Sequence, residues 1–359
     1  MIVYTDSTGV GGAEISLEHL VREAPAAVDV VVAGTSRPIV ERIAAVRPGA
    51  RALVVRRGAL AHAAAFAALR PDVVHLNRSV PWATAAAACA ALSVPDTRLV
   101  TVDQLPLRTT HAALLWRTRA LTLRADVAVA VGRVSARRVE DFYALGPGSV
   151  VSVPNGVPPV DAVPSVPSRT GELRVGSLGR RDPMKGYDVA LRALARIEGV
   201  RLLVHGTGGE APRLTALARA LGIADRVEWR EWISDRAAAL GGFEVLVLPS
   251  RTEGFSLSLV EAMSAGLPCV ATNVGGAAEA FDEGRCGLLV PPDDPVALAA
   301  ALVRLRDDPA GRERLGSAAR ERARALYTAT RMASAYLDLW TQAVSRPRRP
   351  RLRVPPPTP

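Results

Sequence analysis

The chain has 359 residues, 49% hydrophobic but only 4% aromatic, with a formal net charge of +10. That length exceeds what one hydrophobic core organises, so two domains are expected, and the Ala, Val and Leu bias suits buried strands alternating with helices in an α/β protein. Half of the charge sits in Arg346, Arg348, Arg349, Arg351 and Arg353, which leaves a moderately basic remainder and no motif or patch that would argue for nucleic acid. No charged start leads into an apolar run, and no stretch of about 18 apolar residues lacks charge, which argues against a signal peptide or spanning helix and predicts a cytoplasmic protein. Cys89, Cys269 and Cys286 lack metal-ligand spacing and read as reduced thiols.

Ile2 to Thr5 reads as a strand, followed by the turn Gly9, Gly11, Gly12 and a helical pattern from Ala13 to Ala24. Strand-like runs recur at Val28–Ala33, Ala52–Val55, Asp72–Leu76, Arg98–Val102, Asp126–Ala130 and Ser149–Val153, with helical stretches between them. This alternation predicts a doubly wound parallel sheet, whose ligands lie beyond the carboxyl ends of the strands. The pattern breaks in a Pro-rich segment, then resumes at Leu173–Leu178, Val200–His205, Arg226–Trp229, Glu244–Leu248, Cys269–Thr272 and Gly287–Val290. The expected organisation is a first domain over 1–154, a linker over 155–172, a second domain over 173–327, a helix over 328–345 packing back on the first domain, and a disordered Arg/Pro tail over 346–359.

Lys185 is the only lysine among 45 basic residues. It follows Arg180 by five residues in a turn between a strand ending at Leu178 and a helix opening near Gly186, so two cations sit at a strand's carboxyl end, suited to a diphosphate. A solvated turn that happens to keep a lysine is the plainer alternative. A second constellation runs from Pro249 through Ser250, Arg251, Thr252, Glu253, Gly254 and Phe255 into a helix from about Ser256 to Ala265 that carries Glu261. Free amides and the dipole at such a helix start attract phosphate. Two carboxylates beside an anion site make sense if they accept hydrogen bonds from neutral hydroxyls; otherwise Glu253 is a solvated turn and Glu261 an exposed helix residue.

The stretch from Pro249 to Pro292, with Glu253 and Glu261 separated by seven residues, resembles the retaining glycosyltransferases of family 4. "SLGRRDPMKG", "GGAE" at Gly11 to Glu14, "VPNGV" at Val153 to Val157 and "VLVLPSRTEGF" are similar as well. The resemblance implies the GT-B fold, two Rossmann-like domains facing a cleft, with a nucleotide-diphosphate sugar as co-substrate and no other cofactor. It assigns Arg180 and Lys185 to the leaving diphosphate, Glu253 to the donor sugar and Glu261 to the ribose. Gly254, Phe255, Ser256 and Leu257 would offer amides, and Gly11 and Gly12 would let the first domain approach the donor. Gly206 and Gly208 after His205, and Ile233 in the base-contacting stretch from Arg230, would line the same pocket. Many family members have a histidine where this chain has Asp103, which either holds a sugar or acceptor hydroxyl or caps the strand. Thr207 replaces a usual acidic residue, and Arg133 stands where small residues are common.

No Asp-x-Asp motif occurs, so no metal is expected, and the cations and helix N-terminus would carry leaving-group stabilisation. The acceptor stays open between a glycan, a lipid-linked and a small-molecule hydroxyl. A nicotinamide or flavin enzyme fits poorly, since Glu14 occupies the third glycine position of the dinucleotide fingerprint. A nucleotide-sugar epimerase, a sugar phosphorylase and a catalytically silent scaffold are nearer alternatives. Finally, Arg108 to Arg124 places Leu114, Leu115, Trp116, Leu121 and Leu123 among Arg117, Arg119 and the flanking arginines. It reads either as an ordinary sheet-covering helix or as one lying on an anionic membrane, which would make the inner membrane face a further partner.

Overall fold

The computed structural model describes residues 1–161, 171–233 and 235–346; residues 162–170 of the expected linker and 347–359 of the expected tail lie outside these. Two parallel sheets are formed. The first contains β1 (Ile2–Thr5), β2 (Val31–Gly34), β3 (Arg51–Val54), β4 (Val73–Arg78), β5 (Arg98–Asp103), β6 (Val127–Ala130) and β7 (Val150–Ser152), in the order β3-β2-β1-β4-β5-β6-β7. The second contains β8 (Leu173–Leu178), β9 (Val200–His205), β10 (Val227–Arg230), β11 (Val245–Leu248), β12 (Cys269–Thr272) and β13 (Leu288–Val290), in the order β10-β9-β8-β11-β12-β13. Both are Rossmann-like, and each strand order reverses once, between β1 and β4 and between β8 and β11. Those two points open the crevices where such sheets bind ligands.

Thirteen expected strands are present, four with the expected bounds: β1, β8, β9 and β12. The second strand starts later than expected, because Val28 closes a turn onto Pro25 (2.9 Å) while Val31 is the first to pair, onto Met1 (3.0 Å). The last three helices, Pro295–Asp307, Pro309–Leu326 and Ala329–Ser345, start where their sequences say they should. Asp294 and Asp308 accept from free amides of the first turn with proline at the first helical position, and Thr328 caps the last helix through Arg331 N–H.

The Ala329–Ser345 helix lies on the first domain. Val157 and Thr328 form a bridge, Trp340 donates to His75 Nδ1 at 3.3 Å, and Tyr336 meets the His75 ring edge at 5.1 Å. Burial holds His75 in its neutral form, its pKa pushed down to about 3. One buried apolar cluster runs through both domains, from Val3 and Val100 to Leu178, Phe255 and Trp340. Arg346, read from sequence as the first residue of the tail, caps this helix and accepts from Arg98 at 2.7 Å.

Candidate active site

The cleft is assembled at the carboxyl ends of β8 and β11. Beyond β8 the chain enters a single turn of tight helix at Pro183–Lys185, capped by Asp182, which accepts from Met184 N–H at 3.1 Å. Gly186 then turns the chain with φ +63°, and a Cβ there would lie 2.0 Å from the Pro249 carbonyl. Only glycine combines that φ with that closeness, so this residue lets the β8 and β11 loops touch. Arg251 ties them further, with two bonds of 2.9 Å to Asp188, one of 2.6 Å to Asp293, and its own N–H on Met184 C=O at 2.7 Å.

The result is contact between the two predicted constellations. Lys185 Nζ sits 2.7 Å from Glu253 Oε1, and Ser250 Oγ donates to the same oxygen at 2.7 Å. Arg180 is exposed and paired with Asp182 at 3.1 Å. Across the cleft, a Cβ on Gly11 would lie 3.4 Å from Glu14 Oε2 and 4.0 Å from Arg180 Nη1, and one on Gly12 would lie 4.0 Å from Leu257. Gly11, Gly12, Arg180, Lys185, Glu253 and Leu257 therefore line one region. The Leu257–Ala265 helix has no side-chain cap, and its first bond runs from Val260 N–H to Ser256 C=O at 3.2 Å. The amides of Leu257, Ser258 and Leu259 thus have no intrahelical acceptor, at the helix end whose Leu257 side chain faces Gly12.

Gly254 and Phe255 have a second task. A Cβ on Gly254 would lie 1.9 Å from the Gln104 carbonyl of the first domain, and the Phe255 ring is buried 5.1 Å from Tyr327. Asn155 donates to Phe255 C=O (3.0 Å) and Gln104 Oε1 (3.3 Å) and accepts from Ser16 Oγ (2.7 Å), joining three segments of the cleft wall. Gly206 and Gly208 admit the β8 loop closely, since their Cβ positions fall 1.9 Å from Gly179 C=O and 2.3 Å from Arg181 C=O. Thr207 lies exposed between them, and its carbonyl accepts from Arg181 N–H at 2.7 Å.

Two assigned residues are placed differently from their neighbours. Glu261 is almost fully buried and paired with Arg236 at 3.2 Å; burial pushes its pKa up to about 7 against the opposing pull of that guanidinium. It lines a cavity of about 290 Å³ together with His19, Pro158, Val160 and Arg236, and the carbonyl of half-buried Ile233 accepts from Arg236 at 3.3 Å. Asp103 lies deeper. Its carboxylate is wholly buried and pairs with Arg78 at 2.6 Å, at facing register positions of β4 and β5, while Arg78 also donates to Thr122 at 3.2 Å. One Asp103 oxygen thus meets its counter-ion at the carboxyl end of β5, and the other is buried without a partner. The next residue, Gln104, donates its amide to Asn77 Oδ1 at 2.8 Å.

Sequence reasoning passed over Glu14, Asn155, Arg236 and Glu279. Glu14 accepts from Gly11 N–H at 2.9 Å, has a second oxygen buried without a partner, and has its pKa raised by burial, with Arg180 acting against the rise. Its signal lies in "GGAE", a motif that carries the resemblance and weighs against a dinucleotide fingerprint without giving Glu14 a role of its own. Glu279 holds the Arg133 N–H from the other domain at 2.7 Å, leaving the Arg133 side chain exposed.

Comparison with known proteins agrees with this architecture. Residues 10–160 match the family described as Glycosyltransferase Family 4, and residues 172–308 match Glycosyl transferases group 1. A D-inositol 3-phosphate glycosyltransferase of Streptomyces avermitilis is 39% identical over 186 residues, 48% of this chain and 40% of the relative. The lipopolysaccharide core biosynthesis glycosyltransferase LpsD of Rhizobium meliloti is 33% identical over 48% of this chain and 50% of its own, so the chain spans about half the length of these relatives or less. A glycogen synthase of Mycobacterium tuberculosis is 28% identical over 80% of this chain and 72% of that protein. Among solved structures, Anabaena HepE in complex with UDP superposes with a TM-score of 0.83 at 20% identity, covering 95% of this chain and 99% of that one. The chain thus has the GT-B fold, and each of its halves matches a glycosyltransferase domain.

Proposed function

We propose that the protein transfers a sugar from a nucleotide-diphosphate sugar to an acceptor hydroxyl, with retention of configuration and without a metal. The observation that carries this is the pairing of Lys185 with Glu253 at the β8/β11 crevice, with Arg180 of the same loop facing the glycine turn of the first domain. In this reading the diphosphate lies between Arg180, Lys185 and the free amides of the Leu257–Ala265 helix, where negative charge grows as the glycosidic bond breaks. Glu253 orients the donor sugar and Glu261 receives the ribose hydroxyls in the cavity beside His19. The C1–O bond to the phosphate breaks, the acceptor oxygen bonds to C1 on the same face, and the acceptor proton passes to the departing phosphate.

UDP is the first nucleotide to try, because the Anabaena structures are described as complexes with UDP and UDP-glucose. We place the reaction in the cytoplasm; among the described residues no helix is long and apolar enough to cross a membrane. Incubation with radiolabelled nucleotide sugars, with and without sugar, polyol and lipid-linked acceptors, followed by NMR of the product anomer, tests the reading. Transfer with retained configuration in the presence of chelator supports it. Inversion, dependence on a divalent metal, or release of the epimerised donor alone refutes it.

A further inference from the structure

The Arg108 to Arg124 segment folds as the helix Ala112–Leu123, and it covers the sheet in an unusual way. Its fully buried residues are Thr118 and Thr122, while Leu115 and Leu121 are half-buried. Trp116 and Leu123 are 64% and 55% exposed. Ala113, Trp116, Ala120 and Leu123 all face outward at spacings of three and four, an apolar stripe on the solvent side, where a sheet-covering helix normally carries charge. Two neighbours on the same sheet face extend the anomaly. The helix Ala59–Leu69 has no charged residue, its Leu60 is 88% exposed, and Ala64, Ala67 and Ala68 are exposed with it. The helix Ala85–Ser93 is uncharged too and packs between the other two.

The charge around this layer is one-sided. From Arg47 to Asp126 the sequence holds eleven arginines and four acids; Arg51, Arg78 and Arg98 pair with Asp29, Asp103 and Asp126, and no ion pair is found for Arg56, Arg57, Arg108, Arg117 or Arg119 among the described residues. Asp72 and Asp96 precede β4 and β5, at the amino edge of the sheet. Arg56, Arg57 and Leu60 follow β3, and Arg108 and Trp116 follow β5, so they lie toward the carboxyl edge, where the cleft opens. Arg119 reaches over the Trp116 ring at 5.9 Å. Exposed Trp and Leu ringed by arginine suit a planar surface with anionic headgroups above an apolar interior. A nucleic acid would leave the apolar centre uncovered.

We propose that this three-helix face docks on an anionic lipid bilayer, with Leu60, Trp116 and Leu123 entering the interface and Arg56, Arg57, Arg108, Arg117 and Arg119 meeting headgroups. The proposal is independent of the reaction. The test is co-sedimentation of the full chain with vesicles of phosphatidylglycerol and phosphatidylcholine against pure phosphatidylcholine. Anionic vesicles should carry the protein down at an ionic strength of about 0.05 M, and partitioning should weaken at least about tenfold near 0.5 M. The pairs Arg117→Glu with Arg119→Glu and Leu60→Ser with Trp116→Ser should each lower it about tenfold with an unchanged circular-dichroism melt. Brominated lipid should quench fluorescence in the parent more than in Trp116→Phe. Removal of 347–359 should leave most of the binding. Protein remaining in the supernatant, equal binding to neutral vesicles, unaffected variants, or loss of binding with the tail alone each overturns the proposal. So does a dimer in sedimentation velocity that Trp116→Ser dissolves, which would make the face a contact between two copies.

Discussion

Lys185 and Glu253 are each other's partner at 2.7 Å, and that sets what their replacement should do. If Lys185 acts on the leaving diphosphate, Lys185→Ala should lower kcat by about 100-fold or more while changing the Kd of free nucleoside diphosphate much less. Lys185→Arg should also be impaired, because a planar fork does not reproduce the ammonium's reach between Glu253 and a phosphate. Steady-state kinetics beside calorimetric binding separate the two effects. Glu261 makes a pH prediction. Its folded pKa lies above the ordinary 4.5, near 7, so the folded state holds that proton more tightly than the unfolded chain. Its favourable contribution is present below the ordinary value and is lost as pH rises toward 7. On the proposed role of Glu261, in which its carboxylate receives ribose hydroxyls, binding of a nucleotide sugar should tighten about tenfold from about pH 6 to about pH 8, and Glu261→Gln should flatten the profile. Asp103 is paired with Arg78 inside the sheet. Asp103→Ala strands Arg78 in the interior and should cost about 3–5 kcal/mol in urea unfolding, whereas Arg78→Met with Asp103→Leu should recover much of it. A normal kcat per folded molecule in the double variant would confirm that this position serves the sheet.

At the scale of elements, the glycine turns carry the geometry. Gly186→Ala forces a side chain into φ +63° and against the Pro249 carbonyl. The backbone penalty alone, about 1–2 kcal/mol, should lower the melting temperature by about 4 °C or more by differential scanning fluorimetry. The strands were legible because the parallel sheets are buried on both faces, so each reads as a short Val-rich run between turn signals. Their ends drifted by up to three residues where local turns, such as that of Val28 onto Pro25, compete with pairing. The Ala112–Leu123 helix was the harder case. Its alternation of Arg and Leu names no inner face, and the observed inner face is made of two threonines. One of these, Thr122, accepts from Arg78, a residue 44 positions earlier, so a buried polar contact decides the rotation of the helix.

At the scale of the molecule, the two domains share one apolar cluster and are strapped by the Ala329–Ser345 helix. Trp340 and Tyr336 close over His75 there, and Trp340→Ala should cost about 3–5 kcal/mol in urea unfolding followed by fluorescence. Asn155, Gln104 and Phe255 lock the cleft wall from three segments, a cooperation that no one of them suggests by its residue type. The alternation of strands and helices, the position of the ligand crevices beyond the strands' carboxyl ends and the residue types proposed for the diphosphate follow from the linear pattern, because hydrophobic periodicity and turn chemistry act over a few residues. The partners of the charged side chains do not. That Asp103 is sealed by Arg78, that Glu261 faces Arg236 and His19, and that Glu14 approaches Arg180 depend on which strand or helix lies alongside, and only the packing of elements distant in the chain decides that.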